Sequence, residues 1–349
     1  MSSLRRHLPS TISWIDDRGS PAPERFAADL DTERSALQHG VALVDLSHGG
    51  IVTLSGVDRG SFLGGLITNQ IKDVSASRSI YTAMLTPQGR FLWDFTIVDA
   101  GDRLHLLTEP DRVPQLMERL AMYRLRAKVE LVLDTGNFGL LAVAGPQAGA
   151  VLAGLFPVVD AAAPLGSAWT LSESLRVWRD PRHDAHGWRL LAPAAALPAL
   201  WDQLTAVATP AGLLAWEGHR IRHALPRGGV DLVPDETLPL EAGLKELNGV
   251  SFTKGCYVGQ ETTARTHGRG TIKKRLHQVL LPGGGAIVLP APVVTPKGKE
   301  VGVMTSHAFL ENIGVALAIL RRSDVLEHAD LTVVGVPVTV RLPAWVDWE

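Results

Sequence analysis

The sequence predicts an α+β protein ending in a small antiparallel β-barrel. Three observations lead there. Between Val41 and Val98 short strand-like segments mix with single helices, without the strict β-α-β alternation of a doubly wound sheet. The stretch GLLAVAGPQAGAVLAGLF (139–156) opens a second unit of the same kind, a strand, a Gly-Pro turn and a helix. After Gly270 helical periodicity gives way to short β-rich segments punctuated by Gly and Pro, the rhythm of a small barrel or sandwich.

The elements follow in order. Residues 1–30, rich in Pro, Ser, Arg and Asp, read as an extended leader. DTERSALQHG (31–40) reads as a helix capped by Asp31 or Thr32 and ended by Gly40. VALVDL and GIVTLSG read as strands, and DRGSFLGGLIT as a helix opened by Asp58. SIYTAML and FLWDFTIVD form a hairpin about Pro87-Gln88-Gly89. DRLHLLTE adds a strand, and DRVPQLMERLAMYRLRA a helix with Leu116, Leu120 and Tyr123 on one face, before the strand VELVLD. Residues 157–168 are loop-like. LRVWRD and GWRLLAP read as strands, and the stretch from Pro193 to Val207 as a helix. LHQVLLP, AIVLP, PVVTPKGKEVGVMTS, GVALAILRR and TVVGVPVTVRLP supply the barrel.

With 349 residues, 46% apolar and 20% charged, the chain can build two or three cores without disulfides or metals. A net charge of −2 carries no basic excess for sequence-independent nucleic-acid binding. One cysteine rules out an intrachain disulfide and any zinc or iron–sulfur centre held by this chain's thiolates alone. The N-terminus lacks an apolar h-region, Asp16 and Asp17 argue against a transit peptide, and no apolar run approaches the ~20 residues of a membrane span. These features predict a cytoplasmic protein with no membrane or direct nucleic-acid partner and no permanently bound metal.

The single thiol, Cys256, lies in KGCYVGQETTARTHGRG (254–270). Gly255 and Gly259 flank it and permit close approach to the backbone. QETTARTH reads as a short helix with Glu261 and Arg265 as an i,i+4 pair, and Gly268 or Gly270 near its end. Cys256 thus precedes a helix N-terminus, where the dipole and Lys254 favour thiolate, and Arg265 and His267 add cationic character if they fold back. Two readings stay open: a working thiol, or a small buried hydrophobe. No spacing supports a Cys–His hydrolase.

KGCYVGQE at 254–261 resembles the signature of YgfZ-type folate-binding proteins, relatives of the glycine-cleavage T-protein (aminomethyltransferase), a family that includes the Iba-type iron–sulfur assembly factors. VALVDLSHGGIVTLSGVDRGSFLGGLITNQI, YTAMLTPQGRFLWDF, LPLEAGLKELNGVSFTKGCYVGQET, RTHGRGTIKKRL and GVALAILRR extend the resemblance over residues 35–325. It implies a T-protein-like three-domain ring with a tetrahydrofolate-type pocket and the C-terminal antiparallel β-barrel. The implied units are 31–135, completed by 215–269 in relatives, then 136–214 and 270–349.

The resemblance also implies tetrahydrofolate or a derivative as cofactor. Such a ligand needs an acceptor for its pterin edge, apolar or aromatic walls, and cations for its glutamate tail. Asp94 matches the T-protein aspartate region. Tyr81, Trp93 and Trp188 are wall candidates, and Arg124, Arg126, Arg189 and Arg220 tail candidates. T-proteins carry a stretch similar to YTGEDGFE, whose first glutamate holds the pterin. Here RHDAHGWR (182–189) places Ala185 or His186 there, and Arg189 replaces the later acid. Loss of acids and gain of Cys256 point away from aminomethyl transfer. The leading expectation is a folate-binding accessory protein supporting iron–sulfur assembly or repair in client enzymes such as radical-SAM tRNA-modifying enzymes. Iron–sulfur client or carrier proteins would be its partners, and Cys256, with Lys254, Gly255, Tyr257, Gly259, Gln260, Glu261 and Arg265 about it, the functional thiol. The alternatives are a folate-dependent aminomethyltransferase or demethylase and a folate-binding scaffold.

Overall fold

The computed structural model describes residues 3–172, 175–269, 272–283, 287–346 and 348. Three sheets organise it. The first is antiparallel, with strands in the order Ile80–Leu85, Phe91–Asp99, Arg103–Thr108, Gly50–Ser55, Glu130–Leu133. Its hairpin strands are buried on both faces, which explains their unbroken apolar runs. One face packs under the helices Arg59–Gly64 and Val113–Arg124 through Phe62, Leu63, Leu116 and Leu120. On the other, Tyr81, Ala83, Leu85 and Phe91 meet Leu225, Leu232, Leu244, Leu247 and Tyr257 from the long irregular stretch that leads to the cysteine.

The second sheet runs Ala168–Thr170, Arg176–Arg179, Trp188–Pro193, Phe138–Ala144, Ala42–Asp45, Thr209–Ala211. The strand Ala42–Asp45 therefore belongs to this sheet, not to a first unit beginning at residue 31. All four of its residues are buried, and it pairs with strands on both sides. One face of the sheet packs on the helices Ala148–Leu155 and Leu197–Thr205. On the other, Trp178 and Leu191 face Ile51, Val98 and Leu107 of the first sheet.

The N-terminal segment is not an extended leader. Ser3–His7 is helical, and Leu4, Leu8 and Ile12 enter the second core. Ser13–Asp17 and Ser20–Arg25 pair as a hairpin about Arg18 and Gly19, at φ 57° and 84°. Positive φ at both turn residues is the geometry a two-residue hairpin prefers, and Gly19 supplies half of it without strain. The next helix spans Leu30–His39, with Asp29 rather than Asp31 or Thr32 as its cap. Its fully buried Glu33 accepts from the backbone N–H of Phe26, Ala27 and Gly212, pinning the hairpin's exit.

A helix that sequence reasoning missed, Leu213–Arg222, sits where the two sheets and the barrel meet. Seven of its ten residues are buried, so no amphipathic stripe announces it. The barrel is a seven-stranded sheet ordered Val336–Pro337, Thr332–Val333, Ala291–Val294, Glu300–Leu310, Ile313–Arg321, Lys274–Pro282, Thr339–Arg341. Its two outer strands come from one C-terminal turn, which nearly closes it. AIVLP forms no strand over 287–290, and its first residue lies outside the described residues. Among the described residues no helix is long and apolar enough to cross a membrane.

Candidate functional site

Between the two sheets lies a cavity of about 950 Å³, counting the solvent at its mouth. The hairpin forms one wall. Tyr81 Oη donates to Asp94 Oδ2 at 2.9 Å, and both residues are buried. Burial, reinforced by Glu109 nearby, raises the Asp94 pKa, although Tyr81 and Arg182 favour the anion. Gly228 presses against this carboxylate: a β-carbon there would stand 1.9 Å from Asp94 Oδ1. Gly228→Ala is therefore expected to displace Asp94 and weaken any ligand it holds by about 10-fold, about 1.4 kcal/mol, with a smaller effect on stability. Titration of the variant with that ligand checks this.

The second sheet and the helix Leu213–Arg222 form the opposite wall, with Trp178, Arg182, His186, Arg189 and Trp216. Arg182 grips the buried Asp180 at 2.8 and 2.9 Å and lies over the Tyr81 ring, 5.3 Å from its centroid. Arg189 approaches the same carboxylate at 3.2 Å and lies over Trp216. Burial disfavours the Asp180 anion, but the guanidinium groups of Arg182 and Arg189 outweigh it and hold the carboxyl far below its usual range. At the mouth Arg227 binds Asp17 and Glu109, the first from the N-terminal hairpin, while Arg18 at the hairpin tip donates to Gly228 O at 2.6 Å and Asp111 at 2.6 Å. The hairpin thus straps the loop that carries Gly228. Three nitrogens on lining residues are buried without a partner among the described residues: Trp178 Nε1, His186 Nε2 and His48 Nδ1.

Buried imidazoles make this body acid-sensitive. Burial pushes His105 and His219 each down to about 4. The unfolded chain, with histidine near ~6.5, binds those protons more readily. The stability they contribute is complete above pH ~6.5 and is lost as pH falls toward 4, each histidine adding a slope of up to about 1.4 kcal/mol per pH unit. Urea midpoints measured from pH 7.5 down to 5 should decline; a flat profile would contradict the burial of these rings.

Cys256 is exposed and does not line the cavity. Its loop is nevertheless braced. Lys254 is buried and donates to the carbonyls of Gly64, at 2.8 Å, and Ile67, at the C-terminal end of Arg59–Gly64, and its ammonium lies 4.7 Å from the Tyr257 ring centroid. Burial lowers its pKa to about 8. Lys254 is therefore an anchor whose charge is engaged inside the protein. Gly259, at φ 84°, brings the backbone against the hairpin turn, where a β-carbon would meet Thr86 O at 2.5 Å, so its task is close packing and not access to the thiol. Gly255 faces open space. Tyr257 is buried, and its N–H donates to Gln260 Oε1 at 3.3 Å. The helix Gln260–Arg269 follows as expected, but Glu261 and Arg265 are both exposed and form no ion pair among the described residues. His267 stacks on exposed Phe252 at 3.9 Å.

The structure brings together Asp94, Tyr81, Arg189 and Arg220 of the residues singled out from sequence. Arg220 is spent on Glu217, Asp231 and Ser306. Arg124 and Arg126 are exposed and outside the cavity, because the helix Val113–Arg124 covers the first sheet's far face. Trp188 is buried in the second core, since it points to the opposite side of its strand from Arg189, and Trp93 belongs to the first core. Arg182, Trp178, Trp216, Arg227 and Gly228 were missed. The available signals were the Arg that opens RHDAHGWR and the Gly pair in PRGG (226–229).

The model of the GCVT N-terminal domain matches residues 7–251, and that of the CAF17 C-terminal beta-barrel domain matches residues 273–348. The chain belongs to the GCVT family. Human mitochondrial iron-sulfur cluster assembly factor IBA57 is 36% identical over 294 residues, covering 76% of this chain and 74% of that protein. The mitochondrial IBA57 homologue of Coccidioides immitis is 29% identical over 342 residues, covering 86% of this chain and 76% of that protein. The aminomethyltransferase T of the glycine cleavage system from Bartonella henselae superposes with a TM-score of 0.82 at 18% identity, covering 99% of this chain and 98% of that one. This GCVT-family chain therefore has the aminomethyltransferase fold with a nearly closed antiparallel C-terminal barrel. His186 and Arg189 line the cavity on its second-sheet wall. Among the described residues no group of three or more His, Cys, Asp or Glu could hold a metal ion.

Proposed function

We propose that this chain is a folate-binding accessory factor of the YgfZ type that supports assembly or repair of iron–sulfur clusters in client enzymes, radical-SAM tRNA-modifying enzymes among them. The observation that carries the reading is the separation of two working parts: an exposed thiol on a braced loop, and a polar and aromatic cavity without that thiol. A solvent-facing sulfur suits a macromolecular partner, whereas one reacting with a cavity ligand would have to line the cavity. A single thiolate is a poor solitary cluster ligand, so Cys256 would share a cluster transiently with a client or carrier protein, or act in sulfur handling. The 36% identity to human IBA57 supports the iron–sulfur assignment.

The cavity fits a reduced folate by its own chemistry. Asp94 supplies an acceptor for the pterin's donor edge, and Tyr81 and Trp216 supply flat walls. Bound there, tetrahydrofolate would supply a one-carbon or redox-active pterin. His186 and Arg189 in place of acids weigh against aminomethyl transfer.

The test is twofold. Tetrahydrofolate should bind the purified chain, and the chain should restore iron–sulfur enzyme activity in a strain lacking its own factor. Tetrahydrofolate-dependent transfer of an aminomethyl group, with no restoration, would replace this reading by the transferase one.

A further inference from the structure

Far from the cavity, the end of the helix Val113–Arg124 costs the fold stability and buries nothing for it. Leu125 follows the helix at φ 42° and ψ −106°, a conformation that glycine ordinarily supplies, in a turn closed by the Ala127 N–H donating to Arg124 O at 2.7 Å. Its side chain is 88% exposed. Strain that internal packing does not offset gathers at functional surfaces.

Two more apolar side chains stand beside it. Met122, one helical turn earlier, is 70% exposed, and Val57 is 80% exposed. Val57 lies in a turn held to the same segment, where the Lys128 N–H donates to Asp58 Oδ2 at 2.7 Å. Cations surround this apolar knob. Between residues 118 and 130 four of them, Arg119, Arg124, Arg126 and Lys128, stand against two acids, Glu118 and Glu130, and no ion pair joins the two sets among the described residues. The excess charge therefore faces outward.

The face continues toward the thiol. A small groove, about 240 Å³ counting open solvent, is lined by Arg119 and Tyr123 of this helix and by Val258, over an apolar floor that includes Leu66 and Met84. Val258 is two residues from exposed Cys256, and Arg119 shares a helical face with Met122 at i,i+3.

We propose that Met122, Leu125 and Val57, ringed by Arg119, Arg124 and Arg126, dock the protein that meets Cys256, and that this protein presents an apolar patch bordered by carboxylates. The proposal rests on the iron–sulfur reading and adds the partner's surface chemistry. A cationic rim about an apolar knob also suits an anionic membrane. The groove favours a protein, because protein side chains can enter it, and because a thiol that shares a cluster or handles sulfur needs a protein beside it.

Restoration of iron–sulfur enzyme activity by the full chain, in a strain lacking its own factor, tests this. Leu125→Gly relieves the strained φ, so its urea midpoint should hold or rise, while restoration falls by about 5-fold. Arg124→Glu with Arg126→Glu should lower restoration by about 10-fold or more, and the double Lys variant should keep most of it. Cys256 should label with a maleimide at the wild-type rate in all of them. Variants that restore like wild type overturn the docking face alone. Lost restoration matched by a lower midpoint or altered labelling assigns these residues a structural role and overturns it too. Co-sedimentation of the wild type, but not of Leu125→Gly, with phosphatidylglycerol–phosphatidylcholine vesicles would make the face a lipid contact and overturn the protein partner. A wild-type chain that restores nothing removes the iron–sulfur reading and the docking face with it.

Discussion

Asp231→Ala is expected to lower the free energy of unfolding by about 3–5 kcal/mol, the scale for breaking a buried ion pair by removing one partner. Asp231 is 1% exposed and accepts four hydrogen bonds: from Arg220 Nη1 at 2.8 Å, the Arg227 N–H at 2.9 Å, Thr305 Oγ1 at 2.6 Å and Ser306 Oγ at 2.5 Å. Arg220 comes from the helix at the junction of the sheets, and Thr305 and Ser306 from the long barrel strand, so one carboxylate bolts the barrel to the body. Alanine leaves a buried guanidinium with Glu217 alone as its carboxylate partner and strands two hydroxyls. Asp231→Asn keeps an acceptor for the hydroxyls and should cost less. Urea denaturation measures both; a loss below about 1 kcal/mol for alanine would show that the bolt carries little of the fold's stability.

Cys256→Ser should have the opposite profile. The side chain is exposed and the change is one atom, so stability should stay within about ±0.5 kcal/mol. Because the residue does not line the cavity, folate affinity should stay within about twofold, well under the ~1.4 kcal/mol of a tenfold change. Restoration of iron–sulfur enzyme activity should nevertheless be lost, because serine is neither a soft metal ligand nor a sulfur nucleophile. Wild-type restoration by Cys256→Ser would leave the protein a folate-binding scaffold with an incidental thiol.

These two residues also show what the sequence makes legible. Cys256 stands in a dense local pattern of Gly, Lys and aromatic residues, and its turn before a helix could be read directly. The hairpin with Tyr81 and Asp94 was equally plain, because both strands and their Gly-bearing turn are contiguous. Asp231 carries no such signal: its side-chain partners lie 11 to 75 residues away, and only the fold brings them together. The N-terminal hairpin was hidden because Pro21 and Pro23 mask an edge strand, and the strand Ala42–Asp45 because nothing local says which sheet it joins. Arg182 and Arg124 looked alike as sequence; Asp180 and the Tyr81 ring hold one in the cavity, while the other ends an exterior helix.

Under the proposed function, the Cys256 thiol and the cavity are separate working parts. The rate at which Cys256 reacts with a maleimide in the native protein, measured with and without saturating tetrahydrofolate, tests it most directly. The account predicts full labelling without denaturant at a rate the ligand does not change. A thiol that labels only on unfolding, or that tetrahydrofolate shields, would contradict it.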